Sequence, residues 1–398
     1  MLKTKYIIRN LKKNSILHMV MVFQMTFLFC LVFFGVYVIY SKYRFYSSFV
    51  LDFKESGMQV EFENVTDKGA PILQSERLKE LLSGVEKISS TYRLWATCEN
   101  QDVNAFAYDE DIIRAFTPEI ASGTWLSKAK KAEYIPVVVS HNQYGWNAGD
   151  ILELQAEQLE EGVDSYKLKI VGVLEENTSV FMKSPNSYEN NFYDLFWTYN
   201  DSYEQKPLLL FREEDIRDTD IFYIMSGTMM INMKDKELLY QQNLQKLYEI
   251  GEISHVTNYT SLYKESKRVI WRDVKVYVPI IIMLGVIAFI SVTYITELCV
   301  NSYMPEYIVF FQNGMSVKQG RFIATMSQLI TMLSAYCISI GIATVYMYKL
   351  KIHTSRYLLF GSVINIGFII IAGVLAYMKV VWLCNKKSLS ALIRRDQL

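Results

Sequence analysis

The sequence predicts a two-part membrane protein: four α-helices that cross a bilayer, and an α+β domain inserted between the first and the second. Three observations predict it. The apolar residues of the 398-residue chain gather into four long runs free of Asp, Glu, Lys and Arg. The roughly 235 residues between the first run and the second carry short β-branched stretches separated by turn residues. Charge divides along the same line. Residues 41–275 hold 38 acidic and 26 basic side chains, and the rest of the chain holds 3 acidic and 15 basic.

Residues 1–15 place Leu2, Tyr6, Ile7 and Leu11 near one helical face, with Lys and Arg around the rest. Two readings fit: a helix lying on the cytoplasmic leaflet, or a short disordered basic tail. The first span is expected at 16–40. Its apolar run, Ile16–Tyr40, follows a basic stretch, as a secretion signal would. The run is far longer than the usual 7–15 residues, and no small-x-small cleavage site follows, so an uncleaved anchor is expected. The other spans are expected at 276–300, 322–348 and 357–383, around the runs Val276–Thr296, Phe322–Tyr348 and Tyr357–Met378. Each exceeds the roughly 20 residues that cross about 30 Å of hydrocarbon.

The domain at 41–258 is expected to hold strands at Met58–Val65, Arg93–Cys98, Asn104–Tyr108, Ile135–Ser140, Asp150–Leu154, Tyr166–Leu174 and Ile221–Ile231. A helix is expected at Ser75–Leu82, with Gly84 at its exit, and a polar connector at Glu157–Asp164. Residues 181–220 read as irregular, with an aromatic cluster of Phe192, Tyr193, Phe196, Trp197 and Tyr199. Either a binding loop or ordinary packing accounts for that cluster. Residues 259–275 repeat Tyr259, Leu262, Tyr263, Ser266, Ile270 and Val274 at three- and four-residue spacing. This stalk helix is expected to run into the second span, with a kink at Pro279. A cytoplasmic loop at 301–321, an outer turn at 349–356 and a tail at 384–398 complete the order.

Basic residues set the orientation. The N-terminal tail carries Lys3, Lys5, Arg9, Lys12 and Lys13 without an acid, and the C-terminal tail carries Lys386, Lys387, Arg394 and Arg395 against Asp396. Both tails are therefore expected in the cytoplasm and the acidic domain outside. The turn Lys349–Arg356, with three basic residues, runs against this rule, and the tails outweigh it. An acidic outer domain repels phosphate, which excludes nucleic acid as its partner. Of the five cysteines only Cys98 falls in that domain, so it is expected to fold without an internal disulfide. The cysteines and four histidines show no metal-ligand spacing. No phosphate-binding loop, H-E-x-x-H or G-x-S-x-G occurs. The four apolar runs lack Asp, Glu, Lys and Arg, and their one histidine, His18, sits at the end of a run. No cofactor and no catalysis are expected, and the energy for any transport is expected from another subunit.

The segment after the second run reads Met304-Pro-Glu-Tyr-Ile-Val-Phe-Phe-Gln-Asn-Gly-Met-Ser-Val-Lys-Gln-Gly320. It resembles the cytoplasmic loop of FtsX-like, MacB-type (type VII) ABC transporter permeases. That pattern is Arg-Glu, an apolar helix, then Gly-(Ala/Met)-(Ser/Thr), with the Gly eight residues after the Glu. Glu306, Gly314, Met315 and Ser316 keep it, while Pro305 stands for the Arg and Asn313 for the usual Leu. Gly123-Thr-Trp, Ile135–Ser140, Gly149-Asp150 and Ile170-Val-Gly-Val-Leu174 resemble that family's core-domain strands in order, and Ser388–Arg395 its basic tail helix.

The resemblance implies a MacB-like core domain and a permease that pairs with a second copy, identical or not. It also implies a separate cytoplasmic ABC ATPase docking on Pro305, Glu306, Tyr307, Phe310, Gly314, Met315 and Ser316. Motion would pass through the second span and the stalk residues Leu262, Tyr263, Ile270 and Val274. The implied cargo is a peptide, lipopeptide, lipoprotein or antimicrobial. From the residues alone, Glu306 equally suits the first turn of a helix begun at Pro305, and Gly314 its C-cap. Two other functions stand beside transport: a regulator of a cell-wall hydrolase, and a membrane-anchored receptor. Small-residue spacings, Ala335-x-x-x-Ser339 and Ala372-x-x-x-Ala376, allow close helix packing.

Overall fold

The computed structural model describes residues 2–53, 56–63, 75–98, 101–129, 133–141, 144–155, 165–176, 178–182, 191–199, 206–219, 221, 224–234, 238–250, 253–349 and 355–386. In chain order the elements begin with α1 (Leu2–Lys13), α2 (Ser15–Asp52), β1 (Gly57–Glu63), α3 (Ser75–Leu81), β2 (Val85–Cys98), β3 (Gln101–Tyr108) and α4 (Glu110–Ala115). Then come β4 (Ile120–Gly123), β5 (Ile135–Val139), β6 (Ile151–Gln155), β7 (Tyr166–Leu174), β8 (Ser179–Phe181), β9 (Phe196–Thr198) and β10 (Leu208–Arg212). The chain continues with α5 (Glu213–Ile216), β11 (Ile224–Met233), α6 (Leu238–Ile250), β12 (Ile253–Asn258), α7 (Tyr259–Gln312), α8 (Val317–Lys349) and α9 (Ser355–Lys386). These elements divide into two compact units, residues 42–270 and residues 1–41 with 271–398.

The first unit is built on a ten-stranded sheet, ordered β12-β1-β11-β2-β3-β10-β5-β7-β4, with β6 paired to β2 and β7. The β3–β10 and β5–β7 pairs are parallel and the rest antiparallel. Alternation along β1 and β11 explains the layering. Met58, Val60 and Phe62, with Met229, Ile231 and Met233, join one core. Met230 and the β10 residues Leu208 and Leu210 join a second core on the other face. That second core also takes Phe49 from the end of α2, Phe53 just past it, and Tyr259, Leu262 and Tyr263 from the start of α7. The Tyr263 hydroxyl donates to the Phe53 carbonyl, so the two helix ends are tied together within this unit.

In the second unit four helices, α2, α7, α8 and α9, are long and apolar enough to cross a membrane. Their shared interior holds Met21, Met25, Phe29, Ala335, Ala372 and Ala376. The small-residue spacings thus serve packing within one chain: Ala335, Ser339, Ala372 and Ala376 are all buried.

Several boundaries differ from expectation. The helix that holds the expected first span, 16–40, continues to Asp52. Lys42 and Arg44 interrupt the apolar run but not the helix, whose later face (Tyr46, Phe49, Phe53) keeps three- and four-residue spacing. The expected helix start at Pro305 does not occur: Pro279 and Pro305 both lie inside α7. Each leaves one carbonyl four residues back without its helical donor, a loss that membrane helices tolerate. Residues 181–220, expected to be irregular, contain β9, β10 and α5. Leu208–Phe211 is buried throughout and therefore lacks the alternation that marks a half-buried strand. α6 and β12 were also not anticipated. The polar connector Glu157–Asp164, most of the outer turn and the tail helix Ser388–Arg395 lie outside the described residues.

Candidate coupling site

The turn between α7 and α8 is built by local chemistry. Gly314 has φ +90 and open space where a Cβ would stand, so the backbone conformation, not crowding, asks for glycine there. Its N–H donates to the Phe311 carbonyl at 3.1 Å, closing the helix end. Ser316 and Gln319 then form a reciprocal cap. The Gln319 N–H donates to Ser316 Oγ at 3.3 Å, and the Ser316 N–H to Gln319 Oε1 at 3.1 Å. Gly320 is packed tightly, with a Cβ position only 3.0 Å from the Phe311 ring.

Below the turn, Val300, Tyr303, Met304 and Tyr307 pack with Ala324, Val380 and Leu383 in a small core that Met315 partly joins. The residues expected to meet an ATPase therefore divide. Pro305, Gly314 and Ser316 are exposed, Glu306 and Met315 are half-buried, and Tyr307 is buried within the chain. The backbone of Phe310 is helical, and its side chain lies outside the described residues.

Glu306 is held by α1. Its Oε1 lies 2.9 Å from Lys13 Nζ and its Oε2 3.3 Å from Arg9 Nε. Lys13 also donates to the Ser302 carbonyl at 3.2 Å and lies 4.9 Å from the Tyr303 ring centre. Asn10 Nδ2 donates to Ser327 Oγ on α8 at 3.0 Å, and Asn14 Nδ2 to Asn10 Oδ1 at 3.1 Å. A polar seam continues into the spans. His18 Nδ1 lies 2.8 Å from Thr331 Oγ1, and His18 Nε2 lies 4.0 Å from Cys299 Sγ. Sequence reading passed over this seam, because its members are single residues far apart in the chain.

The stalk residues at the other end of α7 follow the expected face. Leu262 and Tyr263 are buried in the sheet unit, and Ile270 and Val274 are half-buried. Ser266 Oγ accepts the Phe192 N–H at 2.8 Å and donates to the Leu262 carbonyl at 2.6 Å. Of the aromatic cluster, Phe192 and Tyr199 are buried and Phe196 and Trp197 half-buried. Phe192 stacks on Phe49 with ring centres 4.0 Å apart and meets Tyr263 edge-on at 4.9 Å.

The sheet unit also holds charge in its interior. Asp109 caps α4: its Oδ1 accepts the Ile112 N–H at 2.8 Å, and its Oδ2 accepts the Ser90 N–H. Burial pushes its pKa up to about 7, against the lowering effect of those two donors, and the nearby carboxylates Asp111 and Glu213 add to the rise. Glu213 is itself buried and pairs with Arg217 at 2.8 Å. Among the described residues no group of three or more metal-ligating side chains forms.

No family model matches the chain, and no curated protein does. Solved structures similar to it include two of bacterial permease regions. The periplasmic region of MacB from Actinobacillus actinomycetemcomitans is 10% identical with a TM-score of 0.28, over 53% of this chain and 92% of that one. A domain of a putative permease protein from Porphyromonas gingivalis is 11% identical with a TM-score of 0.27, over 52% of this chain and 93% of that one. Similarity at this level assigns the chain to no family.

Proposed function

We propose that this chain is the permease subunit of an ABC transporter, passing the motion of a separate cytoplasmic ATPase to an outer domain. The observation that carries the reading is α7, one helix from Tyr259 to Gln312. Its first turns are buried in the sheet unit, and its last turn leads to the capped, exposed turn at 313–316. A helix transmits force along its axis better than a flexible loop, so movement of the turn reaches Leu262 and Tyr263. The match of Glu306, Gly314, Met315 and Ser316 to the permease loop pattern supports the turn as the ATPase contact. In this reading both termini are cytoplasmic, in the cell membrane, and the sheet unit is the extracytoplasmic MacB-like core domain. A second permease copy completes the transporter, and peptides, lipopeptides, lipoproteins or antimicrobials are its cargo. The chain itself hydrolyses no ATP.

Co-purification with a candidate cytoplasmic ABC ATPase from the same organism tests the reading. The wild-type chain is expected to hold the ATPase and change its turnover. Shortening Pro305–Gly314 by one helical turn is expected to abolish both. An unchanged complex and unchanged turnover would remove the coupling assignment.

A further inference from the structure

The carboxylate singled out for a partner is already engaged within the chain. Glu306 is 21% exposed and lies between Lys13 and Arg9. α1 also grips α8 through Asn10 and Ser327, so it bridges the two helices that flank the turn. A basic group on a docking protein would approach Glu306 against two cations that already neutralise it. The side chains left exposed around it have a different character. On the turn they are the neutral Pro305, Val309, Gln312, Asn313 and Ser316, with the cation Lys318. On α1 they are Thr4, Lys5, Ile8, Arg9, Lys12 and Lys13, of which Arg9 and Lys13 hold Glu306, and α1 contains no acid.

We propose that α1 and the α7–α8 turn form one composite docking surface, latched by Glu306, whose cationic face takes a carboxylate-lined face of the ATPase. This rests on the ATPase reading above. Charge complementarity argues for it: outside the latch the surface offers Lys5, Lys12 and Lys318, and its one described carboxylate is spent inward on Arg9 and Lys13. Glu306 is a positioning residue here. It holds α1 against the turn and does not touch the partner.

The test uses the full chain in nanodiscs of zwitterionic lipid, with purified ATPase. Reversing the cations outside the latch (Lys5→Glu, Lys12→Glu and Lys318→Glu together) is expected to weaken the complex about tenfold or more. Wild-type affinity is expected to fall as salt rises. Glu306→Lys alone is expected to raise amide exchange across residues 2–13 and to weaken the complex. Combining it with Lys13→Glu and Arg9→Gln, which rebuilds an inverted latch, is expected to restore both. If the inverted latch protects α1 yet the ATPase does not bind, Glu306 meets the ATPase itself and the proposal is wrong. It is equally wrong if the triple reversal leaves ATPase binding intact and removes only binding of anionic vesicles, because lipid is then the partner. A wild-type chain that binds no ATPase sinks the functional reading. A wild-type complex indifferent to the triple reversal sinks this proposal alone.

Discussion

In the sheet unit the large apolar side chains face inward: Phe49, Phe192, Phe211, Met229 and Tyr259 are fully buried. In the helical unit many face outward. Ile282, Met283, Val286 and Ile290 on α7 are exposed, as are Leu333, Ile338 and Ile342 on α8. That unit buries small and polar residues beside its apolar ones, among them Ala335, Ala372, Ala376, Asn10, His18, Thr331 and Asn365. Water explains the first arrangement, because burying an aromatic ring removes apolar surface from it. Lipid explains the second. Apolar side chains gain little by leaving hydrocarbon, so close packing and hydrogen bonds between helices hold the bundle. The comparison teaches that the same residue types carry stability in one unit and solubility in lipid in the other.

The largest effect that separates the two belongs to the sheet unit's aromatic core. Phe192→Ala removes a ring stacked on Phe49 and in edge contact with Tyr263. It is expected to cost about 3–5 kcal/mol. Amide exchange should show the loss across β8, β9 and the first turns of α7, while the exchange of α8 and α9 stays unchanged.

The next effect is electrostatic. The Asp109 pKa is raised to about 7. Its stabilising contribution is therefore complete below the unfolded carboxylate range and is lost as pH rises through about 7. Between pH 5 and pH 8 the sheet unit is expected to lose on the order of 2–3 kcal/mol. Asp109→Asn keeps an acceptor for the α4 cap and removes the charge, so its melting temperature should hardly change over that range. A wild-type melting temperature that rises with pH over the same range would refute the burial account of Asp109.

The smallest effect lies in the bundle. Thr331→Val deletes the hydroxyl that meets His18 Nδ1. Interhelical hydrogen bonds in membranes contribute roughly 0.6 kcal/mol on average and about 1.7 at most. Unfolding in mixed micelles should show a loss within that range. A loss as large as that of Phe192→Ala would mean that the seam, not close packing, dominates the bundle.

How far the sequence revealed these features follows from the same contrast. The four long apolar helices were legible because run length alone reveals them, and 16–40 and 322–348 fall inside α2 and α8. The helix at 259–275 was legible because its buried face repeats: Tyr259, Leu262, Tyr263 and Ser266 are all buried, as is Val269 on the same side. Strands buried on both faces were not legible, as β10 shows, since Leu208–Phe211 offers no period. The continuation of α2 was hidden by Lys42 and Arg44, although Tyr46, Phe49 and Phe53 kept a helical spacing beyond them. At the candidate coupling site, the motif marked Glu306 but not its partners. The one hint was the separation of Arg9 and Lys13 by four residues, which places both on one face of α1.

In the proposed function α7 carries ATP-driven motion from the turn at 313–316 to the sheet unit. Amide exchange of the ATPase complex, with and without ATP, tests it most directly when wild type is compared with a chain carrying a Gly-Gly insertion after Lys275. The account predicts that ATP changes protection around Tyr259–Tyr263 and β12 in the wild type. The insertion is predicted to abolish that change while the ATPase stays bound. An ATP response that survives the insertion, or none in the wild-type complex, would contradict it.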